Sequence, residues 1–509
     1  MSGAAVIALT ATPAGEPACV LEVDGQPLVA RVITQLRAVG VEAASVRVLT
    51  RAGWVAAVRR AVDVVDGCTV DIEVIACVSS LDVLAAMDPG APGRLVILHA
   101  DVMANDLAVA RLADHASTRT GALVAGPDAM MADASGRPAR VIRGRVVAAA
   151  SPIHQVVEPT SLSLDAFVVA DGDRAAFSTA LTRSRTLIEA GQLPPTLEMG
   201  SEPALALVAL VRSGVPVAAI ALPRGLAWSR PDDLTVASAA AAQVAAVDEE
   251  RVRLDAAVKD QDGFFTTFLV STYSRFWARA AARKGFTPNQ ITTASMLLGV
   301  VAAGAYAWGT TAAAILGAVA LQLAFTLDCV DGQLSRYTRR FSTFGAWLDS
   351  VFDRGKEYLV YAGLAIGGVR IGDGEGLWAL AAATLVLQTF RHTLDLGYSE
   401  QQRADVAREV VRPLVVSTAE RGSTFWEPSA PSADASLAHR GLGWLRSAEG
   451  VPVLKWAKRI VVLPIGERFA LISVLAIVAG PRVVFMTLLV WGTFATAYTF
   501  GGRFVRSIL

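Results

Sequence analysis

Six apolar segments, at about 290–309, 311–327, 345–368, 375–396, 460–480 and 482–503, dominate the second half of the chain. Each can cross about 30 Å of hydrocarbon at about 1.5 Å per residue when its ends extend into the headgroups. In lipid a backbone must satisfy its own hydrogen bonds, so residues 289–509 are expected to form an all-α domain of six transmembrane helices. These segments raise the hydrophobic content to 53% and mean hydropathy to +0.46, too apolar for a soluble chain of 509 residues. The links set the orientation. Arg336, Arg339 and Arg340 follow the second segment, Arg403, Arg408, Arg412, Lys455, Lys458 and Arg459 the fourth, and Arg503 and Arg506 the last. The opposite links, WGTT, GGVRIGDGEG and AGPR, are short and poor in positive charge. The positive-inside rule puts both termini in the cytoplasm, in a protein integral to the cell membrane.

Residues 328–353, from the second segment into the third, read DCVDGQLSRYTRRFSTFGAWLDSVFD. Asp328 and Asp331, three apart, share a helix face with Gly332 and Ser335; Asp349 and Asp353, four apart, share another. Four uncompensated carboxylates beside a membrane repel strongly, so one or two divalent cations are expected between them, and hard oxygen donors suit Mg²⁺ or Mn²⁺. The competing readings are solvated carboxylates at helix ends, an ion pathway, or a non-enzymatic scaffold. An ion pathway calls for acids at mid-membrane depth, whereas these lie near the cytoplasmic ends. The formal net charge of zero gives no support to nucleic-acid binding.

The spacing Asp328-x2-Asp331-Gly332-x2-Ser335-Arg336-x8-Gly345-x3-Asp349-x3-Asp353 resembles the signature of the CDP-alcohol phosphotransferases, integral membrane enzymes that make phospholipids and related phosphodiesters. Ser335 stands where that family usually has Ala. The resemblance implies metal-dependent transfer of a substituted phosphate from a CDP-linked donor, such as CDP-diacylglycerol, to an alcohol acceptor, with release of CMP. It implies Asp328, Asp331, Asp349 and Asp353 as ligands of two Mg²⁺ or Mn²⁺ ions and Asp353 as the general base. Donor contacts would come from Asp328, Asp331, Gly332, Ser335, Arg336, Gly345 and Asn289, the last within a TPNQIT segment that also recurs in the family. Asn289 equally suits a helix start. Family resemblance further implies a homodimer. Arg339, Arg340, Arg354, Lys356, Arg391, Lys458 and Arg459 are candidates for gripping a phosphorylated acceptor such as an inositol phosphate, weighed against the positive charge that any cytoplasmic loop carries.

In residues 1–235, short Val/Ile-rich runs alternate with helical stretches: AAVIALTA, PLVARVITQLRAVG, SVRVLT, VDIEVIAC and RLVILHAD. This βαβ rhythm predicts a Rossmann-like α/β domain with a mostly parallel sheet. The pieces DGQPLVARVI, LVILHADV with Asp101 and AWSRPDDL with Asp233 resemble the sugar-nucleotide and inositol-phosphate nucleotidyltransferases. The two-domain layout is similar to the fused inositol-phosphate cytidylyltransferase/di-inositol-phosphate phosphate synthases. The phosphate-binding chemistry is missing, however. Thr10-Ala11-Thr12-Pro13-Ala14-Gly15-Glu16-Pro17 replaces a Gly-rich loop, no lysine precedes Lys259, and Ser229-Arg230 stands where a second metal-binding Asp is expected. The domain reads as degenerate, a binding or regulatory unit. His99 reads as a packed strand-end residue.

Residues 236–288 read as a linker: an unbroken Ala-rich, solvent-facing helix, then a basic amphipathic helix with Arg275, Arg279, Arg283 and Lys284 lying in the lipid interface. Thr287 and Pro288 supply an N-cap and first turn for the first span. Gly299, Gly304, Gly317 and Gly345 offer close helix packing. A Pro/Ser-rich insertion at about 398–450 reads as a cytoplasmic loop. Cys19, Cys68, Cys77 and Cys329 lack ligand spacing and read as buried thiols in a reducing compartment. The N-terminus lacks the basic start and long apolar run of a signal peptide, so the first half is expected in the cytoplasm.

Overall fold

The computed structural model describes residues 2–42, 45–65, 72–113, 119–126, 136–156, 158–192, 199–259, 262–374, 376–408 and 452–508. Cys68 and the insertion from residue 409 to 450 lie outside them. The chain folds as two compact units that divide between Val252 and Arg253.

The described part of the first unit holds a nine-stranded sheet. Its strands are β1 (Ser2–Ala8), β2 (Val46–Arg51), β3 (Glu73–Cys77), β4 (Arg94–His99), β5 (Gly121–Ala125), β6 (Arg137–Ile142), β7 (Arg145–Ala149), β8 (Ser161–Val169) and β9 (Ala218–Ala221). Their spatial order is β3-β2-β1-β4-β8-β5-β9-β7-β6. Strand alternation splits the apolar side chains between two cores. Ala4, Val6, Val48, Val96 and Leu98 point to one, Ala5, Ile7, Leu49, Leu95 and Ile97 to the other. Both faces are therefore buried, which is why these strands read as continuous apolar runs.

The strands β3, β2, β1 and β4 are parallel, as the βαβ rhythm predicts. The rest corrects the expectation of a mostly parallel sheet. Strand β8 runs antiparallel to both β4 and β5, and β6 and β7 form an antiparallel hairpin. The hairpin turns on Arg143 and Gly144, both left-handed at φ 50° and 76°. So short a connection can only reverse the chain.

The linker also differs from its reading. It is two helices, Leu234–Ala246 and Glu249–Ala257, separated by an extended Val247. Ala237 and Ala240 are buried, and the Glu249 carboxylate accepts from the backbone N–H of Asp106 and Leu107 at 3.0 Å each. Those N–H groups open the helix Asp106–Ala113 and have no partner within it. Glu249 thus fastens the Ala-rich stretch to the first unit, and its charge is not merely a solvated face.

The second unit is mostly helical: α1 (Ser271–Arg283), α2 (Pro288–Trp308), α3 (Thr311–Thr338), α4 (Thr343–Arg370), α5 (Leu377–Arg408), α6 (Pro452–Val462), α7 (Ile465–Val478) and α8 (Gly480–Ile508). Helix α1 buries Ser271, Ser274, Ala278 and Ala281 and exposes Tyr273, Phe276 and Trp277, with Arg275 and Arg279 over the Phe276 ring. That pattern fits a helix lying in a lipid interface. Thr287 and Gln290 form a capping box at the start of α2, with Pro288 in the first turn.

Among the described residues, α2, α3 and the Gly480–Phe504 portion of α8 are long and apolar enough to cross a membrane. Asp353, Arg354, Lys356 and Glu357 interrupt α4, and Gln388, Arg391 and His392 interrupt α5. The continuous span expected at 460–480 is broken. Leu463 is left-handed at φ 53°, and Pro464, with no N–H to donate, precedes a 14-residue α7 of roughly 21 Å.

Close helix packing occurs at Gly299, Gly317 and Gly345 as expected, but not at Gly304, and at two further glycines. A Cβ on Gly299 would meet the Lys356 stem at 2.7 Å and one on Gly317 the Tyr306 ring at 3.0 Å, whereas Gly304 faces open space. Gly363 and Gly367, one turn apart on α4, press against the Ala303 and Tyr306 carbonyls of α2. The small-x3-small spacing Gly363-x3-Gly367 is the signal that would have found them.

Candidate active site

Helices α3 and α4 are joined by a tight turn. Arg339 is left-handed at φ 56°, the Ser335 hydroxyl donates to the Arg340 carbonyl at 2.8 Å, and Ser342 caps α4 by accepting from Gly345 N at 2.8 Å. Ser335 therefore braces the turn. The turn returns the chain so that one carboxylate oxygen each from Asp328, Asp349 and Asp353 lies within 4.8 Å of the others. Asp331 stands apart from this trio. It is buried and accepts from the Thr292 hydroxyl of α2 at 2.6 Å. Three hard anionic oxygens at that spacing suit a Mg²⁺- or Mn²⁺-sized ion.

Nearby donor-side candidates cluster on the same turns. The Asn289 amide oxygen abuts Gly345, where a Cβ would sit 2.6 Å from it, so only glycine leaves that approach open. Arg336 folds its guanidinium over Gly332, 3.3 Å from where a Cβ would be, and its Nε donates to the Ala257 carbonyl at 2.5 Å.

Residues 286–413 match the CDP-alcohol phosphatidyltransferase family. The C-terminal part carries a CDP-alcohol phosphatidyltransferase domain. A bifunctional IPC transferase and DIPP synthase from Aquifex aeolicus is 42% identical over 81 residues, 16% of this chain and 18% of that protein. One from Rubrobacter xylanophilus is 38% identical over 104 residues, 20% and 23% of the respective chains. An archaetidylinositol phosphate synthase from Pyrococcus horikoshii is 34% identical over 91 residues, 18% and 47%. The chain thus spans less than half the length of each of these three relatives. Among solved structures, the inositol-1-phosphate CTP transferase from T. maritima aligns over 48% of this chain and 97% of its own at 15% identity, with a TM-score of 0.36.

Within the second unit, the acceptor candidates separate. Among the described residues, Arg354 engages its own helix, donating to the Ser350 carbonyl at 3.3 Å. Arg391 donates to the Val462 carbonyl at 2.6 Å, and Arg459 donates to the Asp262 carbonyl at 3.1 Å while covering the Trp456 ring. The Lys458 side chain lies outside the described residues. Lys356 differs most from its reading as a surface acceptor contact. It is fully buried, hydrogen-bonded to Asp328, 3.0 Å from Asp353 Oδ1 and 2.9 Å from the Ser295 hydroxyl. The spacing of three from Asp353 was the available signal, since it places both side chains on one helix face.

The second unit buries another ionic group that the sequence reading missed. Glu357 pairs with Arg468 of α7 and accepts from the Tyr361 hydroxyl at 2.5 Å, while Arg468 also donates to the Leu463 carbonyl at 2.8 Å. The broken helix is thereby pinned to α4.

In the first unit, Arg230 lies where a second metal-binding acid was expected. Its Nε is 3.3 Å from Asp101 and its Nη2 donates to Thr10 at 2.9 Å. Arg137 pairs with Asp165 at 3.0 Å and lines the same cavity. His99 is fully buried at the end of β4; burial first, then Arg230 and Arg137, push its imidazole well below the usual histidine range, so it stays neutral. Burial likewise raises the Cys19 thiol to about 12 and the Cys77 thiol to about 11. Those two are inert buried thiols, and Cys329 is half-buried. Asp233 caps the helix that follows it, accepting from Val236 N at 2.8 Å.

Proposed function

We propose that this protein transfers a substituted phosphate from a CDP-linked donor to an alcohol acceptor and releases CMP. The observation that carries the reading is the convergence of Asp328, Asp349 and Asp353 across the α3–α4 turn inside a domain of that family. A Mg²⁺ or Mn²⁺ ion held by these carboxylates supplies charge stabilisation for the diphosphate. Asp353 is the base that accepts the acceptor hydroxyl proton. Its side chain is 28% exposed against 11% for Asp328, which supports its being the one an acceptor reaches. Asp331, buttressed by Thr292, completes the acidic wall. Gly332 and Gly345 leave the backbone open to the nucleotide, with Asn289 and Arg336 at its edges and Ser335 holding the turn. Arg339, Arg340 and Arg354 are the acceptor-side cations. The relatives' names favour a phosphorylated polyol as acceptor, with the CDP-linked lipid or polyol as donor.

In this reading α4, α5 and α7 complete a six-span bundle in the cell membrane, with both termini, the carboxylates and the first unit on the cytoplasmic side, and the chain works as a homodimer. Crosslinking in native membranes and cysteine accessibility from either face test those points. A second reading, that the first unit makes the CDP-linked donor, fits the names of the bifunctional relatives. Against it stands Arg230, which neutralises Asp101 where a metal ion would be needed. We therefore assign the first unit a binding or regulatory role.

The deciding experiment is CMP release by the purified protein with Mg²⁺ or Mn²⁺, offering CDP-diacylglycerol and CDP-inositol against alcohols and inositol phosphates. Metal-dependent release from one pair supports the reading. No release from any pair overturns it in favour of a scaffold or an ion pathway.

A further inference from the structure

The buried lysine in the carboxylate cluster sets how many ions the site holds. We propose that the Lys356 ammonium permanently fills one cation position among the carboxylates, so that the site takes a single divalent ion. This rests on the proposed phosphotransferase reading of the same site.

The ammonium is built in. Lys356 is fully buried; its ammonium donates to the Asp328 carboxylate and to Ser295 Oγ at 2.9 Å, and Asp353 Oδ1 lies 3.0 Å away as a charge contact. Ser295 is itself fixed, donating to the Ala324 carbonyl at 2.8 Å. The aliphatic stem runs over Gly299, where a Cβ would come within 2.7 Å of it, so α2 is shaped to admit this side chain. The residue type is also distinctive. Lys259, Lys284, Lys356, Lys455 and Lys458 are the only lysines in a chain with 46 basic residues. A compact ammonium sits among the carboxylates as a point charge on a flexible stem.

Its position conflicts with a second metal. Two-metal phosphoryl-transfer sites hold ions roughly 3.5–4 Å apart, bridged by shared carboxylates. Asp328 and Asp353 are the two members of the trio that each turn one oxygen, Oδ1, to Lys356. A divalent ion bridging both would need each oxygen at about 2.0–2.2 Å, beside the ammonium that binds those same carboxylates. An oxygen of Asp349 lies within 4.8 Å of one from each of the other two carboxylates, which leaves the trio able to hold one divalent ion.

The test is Mn²⁺ loading of the full-length protein in detergent, read by bound equivalents and by electron paramagnetic resonance. An isolated ion gives an uncoupled signal, and a pair of ions about 4 Å apart gives a spin-coupled one. The wild type should bind about one equivalent per chain with an uncoupled signal, and Lys356→Met should move toward two with spin coupling. A coupled signal in the wild type overturns the inference and leaves the transferase reading intact, and needs no variant to be folded. A folded Lys356→Met protein that still holds one uncoupled ion overturns it as well. Absence of bound Mn²⁺ in the wild type overturns it together with the metal site, and CMP release in chelator then reports separately on the transferase reading.

Discussion

Arg468 holds Glu357 through two parallel hydrogen bonds, Nε to Oε1 at 2.8 Å and Nη2 to Oε2 at 3.1 Å, with both side chains buried between α4 and α7. Removing one partner leaves the other charge stranded in an apolar bundle. Arg468→Met should cost about 3–5 kcal/mol, whereas joint replacement of Glu357 and Arg468 by Met should cost much less. Thermal unfolding in detergent reads the difference; equal losses in the single and double variants would show that the pair is not the pin.

Asp353→Asn keeps the shape of the side chain but removes the base. Turnover should fall by about 10²–10⁴-fold while donor binding persists. CMP release and equilibrium binding of labelled donor separate the two, and unchanged turnover removes Asp353 as the base.

Gly363 faces the Ala303 carbonyl without room for a methyl group, and Gly304 faces open space. Gly363→Ala should destabilise the α2–α4 contact by about 1–3 kcal/mol, with Gly304→Ala near neutral. Matching melting temperatures for the two variants would contradict the close approach.

The stability that the first unit draws from its two buried histidines should be lost as pH falls below about 6.5, the ordinary histidine value, against an opposite contribution from Asp165 and Glu202, whose carboxyls burial pushes up. His99 and His154 are both pushed down, chiefly by burial, and His154 Nε2 sits 2.9 Å from Arg212 Nη2, a donor it can accept from only while unprotonated. Below that pH the unfolded chain takes up protons that the folded unit refuses, at up to about 1.4 kcal/mol per pH unit for each histidine. Hydrogen exchange in β4 and β8 of the full-length protein at pH 7.5 and 5.5, corrected for intrinsic rates, should show less protection at the lower pH. His99→Leu should shrink that difference.

With Asp101 held by Arg230, the protein should form no CDP-linked alcohol from CTP and an alcohol phosphate. Labelled CTP incubated with inositol phosphate and Mg²⁺ is the check. Labelled CDP-inositol would restore the bifunctional reading.

What the sequence by itself determined was whatever depends on neighbours along the chain. Helical spacing put Asp349 and Asp353 on one face, Thr287-Pro288 opened α2, and the βαβ rhythm fixed the direction of the first four strands, because each follows from local periodicity or capping. Tertiary structure decided the rest. Asp331 turned to Thr292, Lys356 entered the cluster, and Glu357 found Arg468 111 residues away. The hairpin at Arg143 and Gly144 reversed the sheet, and Leu463-Pro464 broke a span that hydropathy read as continuous. A buried charge must find its counter-charge wherever the fold brings one within reach, and that partner is set by helix packing across the bundle and leaves no period in the sequence.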